Sequence, residues 1–153
     1  MNEIGLNIIK DSLVGKLDDV FGLEVFGETV RQGFEYPCFF VSVEGFSQKQ
    51  LLGDRVLLQY DFCISYFQGR DEARNWNSTA LLERLVYSVR YLDVEGGMIR
   101  GSALRADASD GELRVWVSYK VYAFNKDLEE LASGSVMENL IYEDGVRVEG
   151  RQD

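Results

Sequence analysis

The clearest pattern in this chain is a two-residue alternation running from Arg55 to Phe67. Val56, Leu58, Tyr60, Phe62, Ile64 and Tyr66 point one way, and Arg55, Leu57, Gln59, Asp61, Cys63 and Ser65 point the other. A period of two with one wholly apolar face predicts a strand of an antiparallel sheet with one side on a core. Upstream, after the chain's single proline, Pro37, the residues Phe39, Val41 and Val43 share one face of another extended segment. The polar stretch from Glu44 to Gly53 then predicts a loop too long for a tight hairpin. It carries Gln48-Lys49-Gln50 followed by Leu51-Leu52, and two adjacent leucines there are either a local anchor or a docking surface.

Helical periodicity appears twice. Leu6, Ile9, Leu13, Leu17 and Val20 recur at three- and four-residue steps, predicting a helix from about Ile4 to Val20. Gly22 ends it, and Leu23–Phe26 reads as a short strand. A second helix is predicted from Gly69-Arg70-Asp71 to about Leu92, with Leu82, Leu85, Val86 and Val89 as its apolar face and Gly96-Gly97 closing it. A second hairpin follows, with Met98–Ala106 and Glu112–Phe124 as arms around an Asp110-Gly111 turn. In the return arm Leu113, Val115, Val117, Tyr119, Val121 and Ala123 form the apolar face, while Trp116, Tyr122 and Phe124 share the opposite face with Arg114, Ser118 and Lys120. Beyond it come a short Leu128–Ala132 segment, Val136–Ile141, and a small hairpin pattern around Asp144-Gly145. Helix, strands, helix and strands in that order predict an α+β fold, a mostly antiparallel sheet packed against two helices. Residues 1–126 form that domain and residues 127–153 an acidic arm or small hairpin.

Length adds that 153 residues suffice for one domain with a real core. The net charge of −10 repels a phosphate backbone and argues against sequence-independent nucleic-acid binding. Eight acidic and two basic residues lie from Asp127 onward, a solvated tail or an arm that orders on a partner. The N-terminus lacks a secretory pattern and no apolar run reaches membrane-spanning length, so a cytoplasmic protein is expected. Cys38 and Cys63 are then expected as small buried or half-buried fillers, with a disulfide the less favoured reading.

Chemistry is scarce. Without histidine there is no Ser-His-Asp or Cys-His arrangement and no His-Glu-x-x-His zinc site. Asp107-Ala108-Ser109-Asp110-Gly111-Glu112 lacks the ligand spacing of a calcium loop and is better read as a turn. Gly96, Gly97 and Gly101 precede no helix and make no phosphate loop; they mark a turn and a strand irregularity. Catalytic, cofactor-binding and metal-ligating residues are therefore all read as none, and no enzyme is expected.

Gln32-Gly33-Phe34, Pro37-Cys38-Phe39-Phe40, Leu52-Gly53-Asp54-Arg55 and the run from Tyr60 to Phe67 resemble the phage tail terminator proteins of tailed prophages in Gram-positive bacteria. The likeness covers Val30 to Phe67 and extends through Phe124, whereas the first helix and the acidic tail match only in general character. The resemblance implies a structural virion protein that forms a hexameric ring at the head-proximal end of the tail tube. Such a ring ends tube polymerisation and offers a joining surface to the head connector; the same role serves phage-tail-like bacteriocins. The implied partners are further copies of the chain as a homo-hexamer, the tail tube and sheath proteins, and the head–tail connector. No cofactor, no specific nucleic-acid binding and no membrane are implied, and the implied location is the virion tail or a tail-like particle, assembled in the host cytoplasm. The alternatives are another neck component (a head-closure or tail-completion protein) and, from a different class, a small protein-binding regulatory module. The candidate contacts to neighbouring subunits or the tube are Gln48, Lys49, Leu51, Leu52 and Arg55 from the loop, with Trp116, Tyr122 and Phe124 from the strand face. Aromatics and arginine concentrate in interface cores, and Arg55 is suited to a bidentate carboxylate pair, either across the contact or within its own subunit.

Overall fold

The structure, a computed structural model, describes residues 5–27, 37–68, 78–94, 97–109 and 112–132. The first element, α1 (Leu6–Phe21), buries Ile9, Leu13, Leu17 and Phe21, and Gly22 caps it in the left-handed region (φ 66°). Full burial of each such side chain contributes about 1.5–3 kcal/mol. Then follow β1 (Glu24–Phe26), β2 (Cys38–Gln50), β3 (Arg55–Phe67), α2 (Ser78–Ser88), β4 (Tyr91–Val94), β5 (Gly97–Ser109), β6 (Glu112–Phe124) and α3 (Asn125–Ala132). The six strands form one mostly antiparallel sheet in the order β1-β2-β3-β6-β5-β4, and the fold is α+β as expected. β1 is the parallel exception, pairing with Cys38–Phe40. On the core side α1 lies against β1 and β4, α2 lies against β5, and the two helices touch.

Four expectations are corrected. The stretch from Glu44 to Gln50 is strand, not loop: β2 continues to Gln50, and only Leu51–Asp54 turn the chain. Apart from Phe46, which stacks on the Tyr60 ring, its residues are polar or glycine, so the strand leaves no alternation of apolar and polar positions. Val43 is 39% exposed, outside the core that Phe39 and Val41 enter. At the start of β2 both faces are covered: Phe39 meets Phe21 and Tyr66 (centroids 5.1 and 5.4 Å), while Phe40 meets Phe26 and Phe67 (both 5.2 Å). The α2 stripe is Leu81, Leu85 and Val89, rotated by one residue from the predicted Leu82 and Val86, which are half-buried. Leu92 belongs to β4, an unforeseen strand.

Cys38 and Cys63 are buried free thiols, as expected. The second hairpin pairs Ser109 with Glu112, so its arms meet where the alternation placed them, although Asp110-Gly111 lie outside the described residues. So do Gln32–Tyr36, Gly69–Asn77, Gly96, and the expected Val136–Ile141 strand and small hairpin around Asp144. The strand irregularity falls at Ala103-Leu104, where β5 shifts register by one residue and Ala103 adopts φ 52°. Gly101 has another role. A side chain there would come within 2.9 Å of Val117 Cγ2 and 3.1 Å of the Val89 carbonyl. No polar or charged residue is buried among the described residues.

The chain divides into two compact units. Of the described residues, those up to 47 and from 58 to 121 form the larger, and 48–57 with 122–132 form the smaller.

Candidate assembly site at the hairpin tip

The smaller unit is built from a turn, two strand ends and a helix start. Gly53 takes φ 69°, which lets Leu51–Asp54 reverse within four residues, and the Leu51 amide closes the turn on the Arg55 carbonyl at 2.9 Å. Gln50 sits at its centre. Its Nε2 lies 3.0 Å from each of the carbonyl oxygens of Leu51, Gly53 and Arg55. Its Oε1 accepts from Asn125 Nδ2, also at 3.0 Å. The Asn125 amide donates to the Asp54 carbonyl at 2.8 Å, which ties the start of α3 to the turn. The Gln50 side-chain amide thus supplies donors to the turn carbonyls of Leu51 and Gly53.

A turn held this way presents apolar side chains outward. Leu52 is 91% exposed, whereas Leu51 is half-buried. Gln48 and Lys49 are exposed. Arg55 lies over the Tyr122 ring, 5.2 Å from its centroid, and Lys126 lies 5.8 Å from that of Phe124. Tyr122 and Phe124 stay largely exposed under these cations. Among the described residues Arg55 has no carboxylate within ion-pair distance and lies over a ring instead.

Seven of the eight predicted contact residues therefore belong to one unit. The eighth, Trp116, belongs to the larger unit, half-buried, with the Arg105 guanidinium 3.9 Å from its ring centroid. Sequence reasoning missed Gln50 and Asn125 as organisers. Neither has a periodic signal, and their roles depend on a turn that the polar stretch concealed.

The arrangement exposes leucine, aromatic and cationic side chains together. Among the described residues no group of three or more His, Cys, Asp or Glu is placed to hold a metal ion. Nor is any helix among them long and apolar enough to cross a membrane. Burial pushes the Tyr60 hydroxyl up to about 12 and raises Tyr119 further, as expected of core side chains.

Comparison with known proteins gives a family. No curated protein matches the chain. One solved structure aligns over 78% of this chain and 95% of its own, at 15% identity and a TM-score of 0.35, too distant to carry an argument. A family model described as phage tail terminator protein matches residues 8–130, spanning most of α1, all six strands, α2 and most of α3. The chain belongs to the phage tail terminator protein family.

Proposed function

We propose that this tail protein caps the head-proximal end of the tail tube as a ring, ends tube polymerisation and offers a joining surface to the head connector. The role is structural, with no catalytic step. The observation that carries the proposal is the hairpin tip. A leucine 91% exposed on a hydrogen-bonded turn, beside Arg55 on Tyr122 and Lys126 near Phe124, has the aromatic, arginine and aliphatic mix of an interface core. Such a tip suits the end of a protein tube, with Gln48, Lys49, Leu51, Leu52, Arg55, Tyr122 and Phe124 making the contact and Trp116 serving a second surface. The net charge of −10 is compatible with an opening through which DNA slides without being held.

The test is assembly of tails with this protein supplied or withheld, followed by negative-stain measurement of tube length. With the protein, tubes should have a uniform length and a ring at one end; without it, they should overrun. Equal length distributions in the two preparations would reject the capping role.

A further inference from the structure

The larger unit carries two surfaces of opposite character on its two sides. The first is the face of β4, β5 and β6 turned away from α1 and α2. There Arg100 pairs with Tyr91 across β4–β5, and Arg105 pairs with Trp116 across β5–β6 and stacks on its ring. Lys120 follows the core residue Tyr119 and so shares this face. Met98, two residues before Arg100, is 62% exposed. Arg100, Arg105 and Lys120 have no carboxylate partner within ion-pair distance among the described residues. One anion lies beside the middle of this face, Asp61 of β3, whose Oδ1 accepts from the Ser118 hydroxyl and the Gln59 amide, and the others lie at its margins. Asp93 is opposite Met98, while Asp107 and Glu112 flank Arg114, which is ion-paired to Glu112. Arg100, Arg105 and Lys120 are exposed there.

The second surface is the outer side of α1. Its buried stripe faces the sheet, and its exposed residues are Asn7, Asp11, Gly15, Asp18 and Asp19. Their spacing puts them along one line of the helix. The line holds three carboxylates and no cation, since Lys10 and Lys16 are half-buried to either side. Gly15 lies in the middle of the helix, where glycine costs about 1 kcal/mol relative to alanine. A β-carbon there would meet nothing within 4 Å, so packing within this chain does not require the glycine. A bare backbone at the centre of an acidic face allows another molecule to approach closely.

Resting on the ring reading above, we propose that copies of this chain associate head to tail, with the Arg100–Arg105–Lys120 and Trp116 sheet face of one seated on the Asp11–Asp18–Asp19 face of α1 of the next. Opposite charge selects this pairing, because two copies of either face repel each other. The surfaces lie on opposite layers of one unit, so the contact is heterologous and closes only by rotation, as a ring requires. The aromatic and methionine side chains supply the apolar centre, and the cations set register and orientation.

The experiment is a charge swap on the full chain. One variant carries Arg100→Glu and Arg105→Glu, and the other carries Asp11→Lys and Asp18→Lys. All four sites are exposed, and circular dichroism melts check that each variant is folded. Association is read by light scattering and negative stain at a concentration where the unaltered protein associates, in solution or on purified tubes. Each variant alone should lose association, and a one-to-one mixture should recover it, because contacts in an alternating assembly join either two reversed faces or two unaltered ones, and both pairs are complementary. The unaltered protein should associate less as salt rises. If a single reversed face leaves association intact, or the mixture stays dissociated, the face assignment is overturned while the ring remains. If the unaltered protein associates neither in solution nor on tubes, the ring reading falls and the pairing with it.

Discussion

Replacing Gln50 by alanine should loosen the hairpin tip while leaving the core intact. The amide of Gln50 has two N–H hydrogens shared among three carbonyls at 3.0 Å, and its oxygen accepts one further bond from Asn125. At most three bonds are therefore well made at once. Each contributes about 0.5–1.5 kcal/mol net, and the lower end applies here because Gln50 is exposed and water replaces what is lost. The sum is about 1.5–2 kcal/mol of local stability, which corresponds to roughly 10–30-fold faster opening-limited exchange of the protected amides. Native-state hydrogen exchange followed by NMR reads this directly. The Leu51 and Asn125 amides, bonded to Arg55 and Asp54, should accelerate, while core amides of β3 and β6 should not. Gln48→Ala serves as a control on the same strand end, since Gln48 is exposed and holds no turn carbonyl. Acceleration below about threefold at Leu51 and Asn125 would refute Gln50 as the organiser of the tip.

Arg55→Ala combined with Leu51→Ser should leave thermal unfolding within about 1 kcal/mol of the parent, because Arg55 is exposed and Leu51 only half-buried; tails assembled with this variant should nevertheless overrun in length under negative stain. Gly101→Ala should destabilise the fold by about 1–3 kcal/mol in urea titrations, since the new methyl would crowd Val117 and the Val89 carbonyl that accepts the Tyr119 hydroxyl at 2.6 Å. Burial, with Glu24 adding to it, pushes the Cys38 thiol up from 9.0 to about 11. The folded state thus holds this proton more tightly than the unfolded chain, so the contribution is full below pH 9.0 and lost as the pH rises to about 11. The urea midpoint should fall across that window, and Cys38→Ala should flatten the fall.

What the sequence disclosed follows from burial. Where one face is buried and the other wet, as in β3, β6 and α1, periodicity is sharp and the elements lie within a residue or two of their predicted bounds. It fails where burial is two-sided or absent. Cys38–Val41 are covered on both faces, and in Glu44–Gln50 every residue but Gly45 is exposed, so neither half of β2 alternates cleanly. In α2 the apolar residues Leu81, Leu82, Leu85, Val86 and Val89 form a band too wide to fix the buried line, and packing selected Leu81, Leu85 and Val89. The predicted contact residues were legible by type, as aromatics and leucines out of place on polar faces. Their gathering at one tip was not legible, because it depends on Gln50 and Asn125, which lie 75 residues apart.

The register shift at Ala103-Leu104 has a consequence for what β5 displays. Arg100 and Arg105 are five positions apart, an odd number, and an unbroken strand would send them to opposite sides. Because two residues of β5 stand opposite one of β6 between Ser102 and Arg105, the count is reset and both arginines emerge on the same side. The bulge thus acts as a phase corrector. Removing either Ala103 or Leu104 would leave the two arginines four positions apart, an even number, so a continuous strand would keep Arg105 and Asp107 on the outer side without a bulge. A one-residue deletion there would be read by the fold as a straightening of β5, with Arg105 to Ser109 still opposite Trp116 to Glu112.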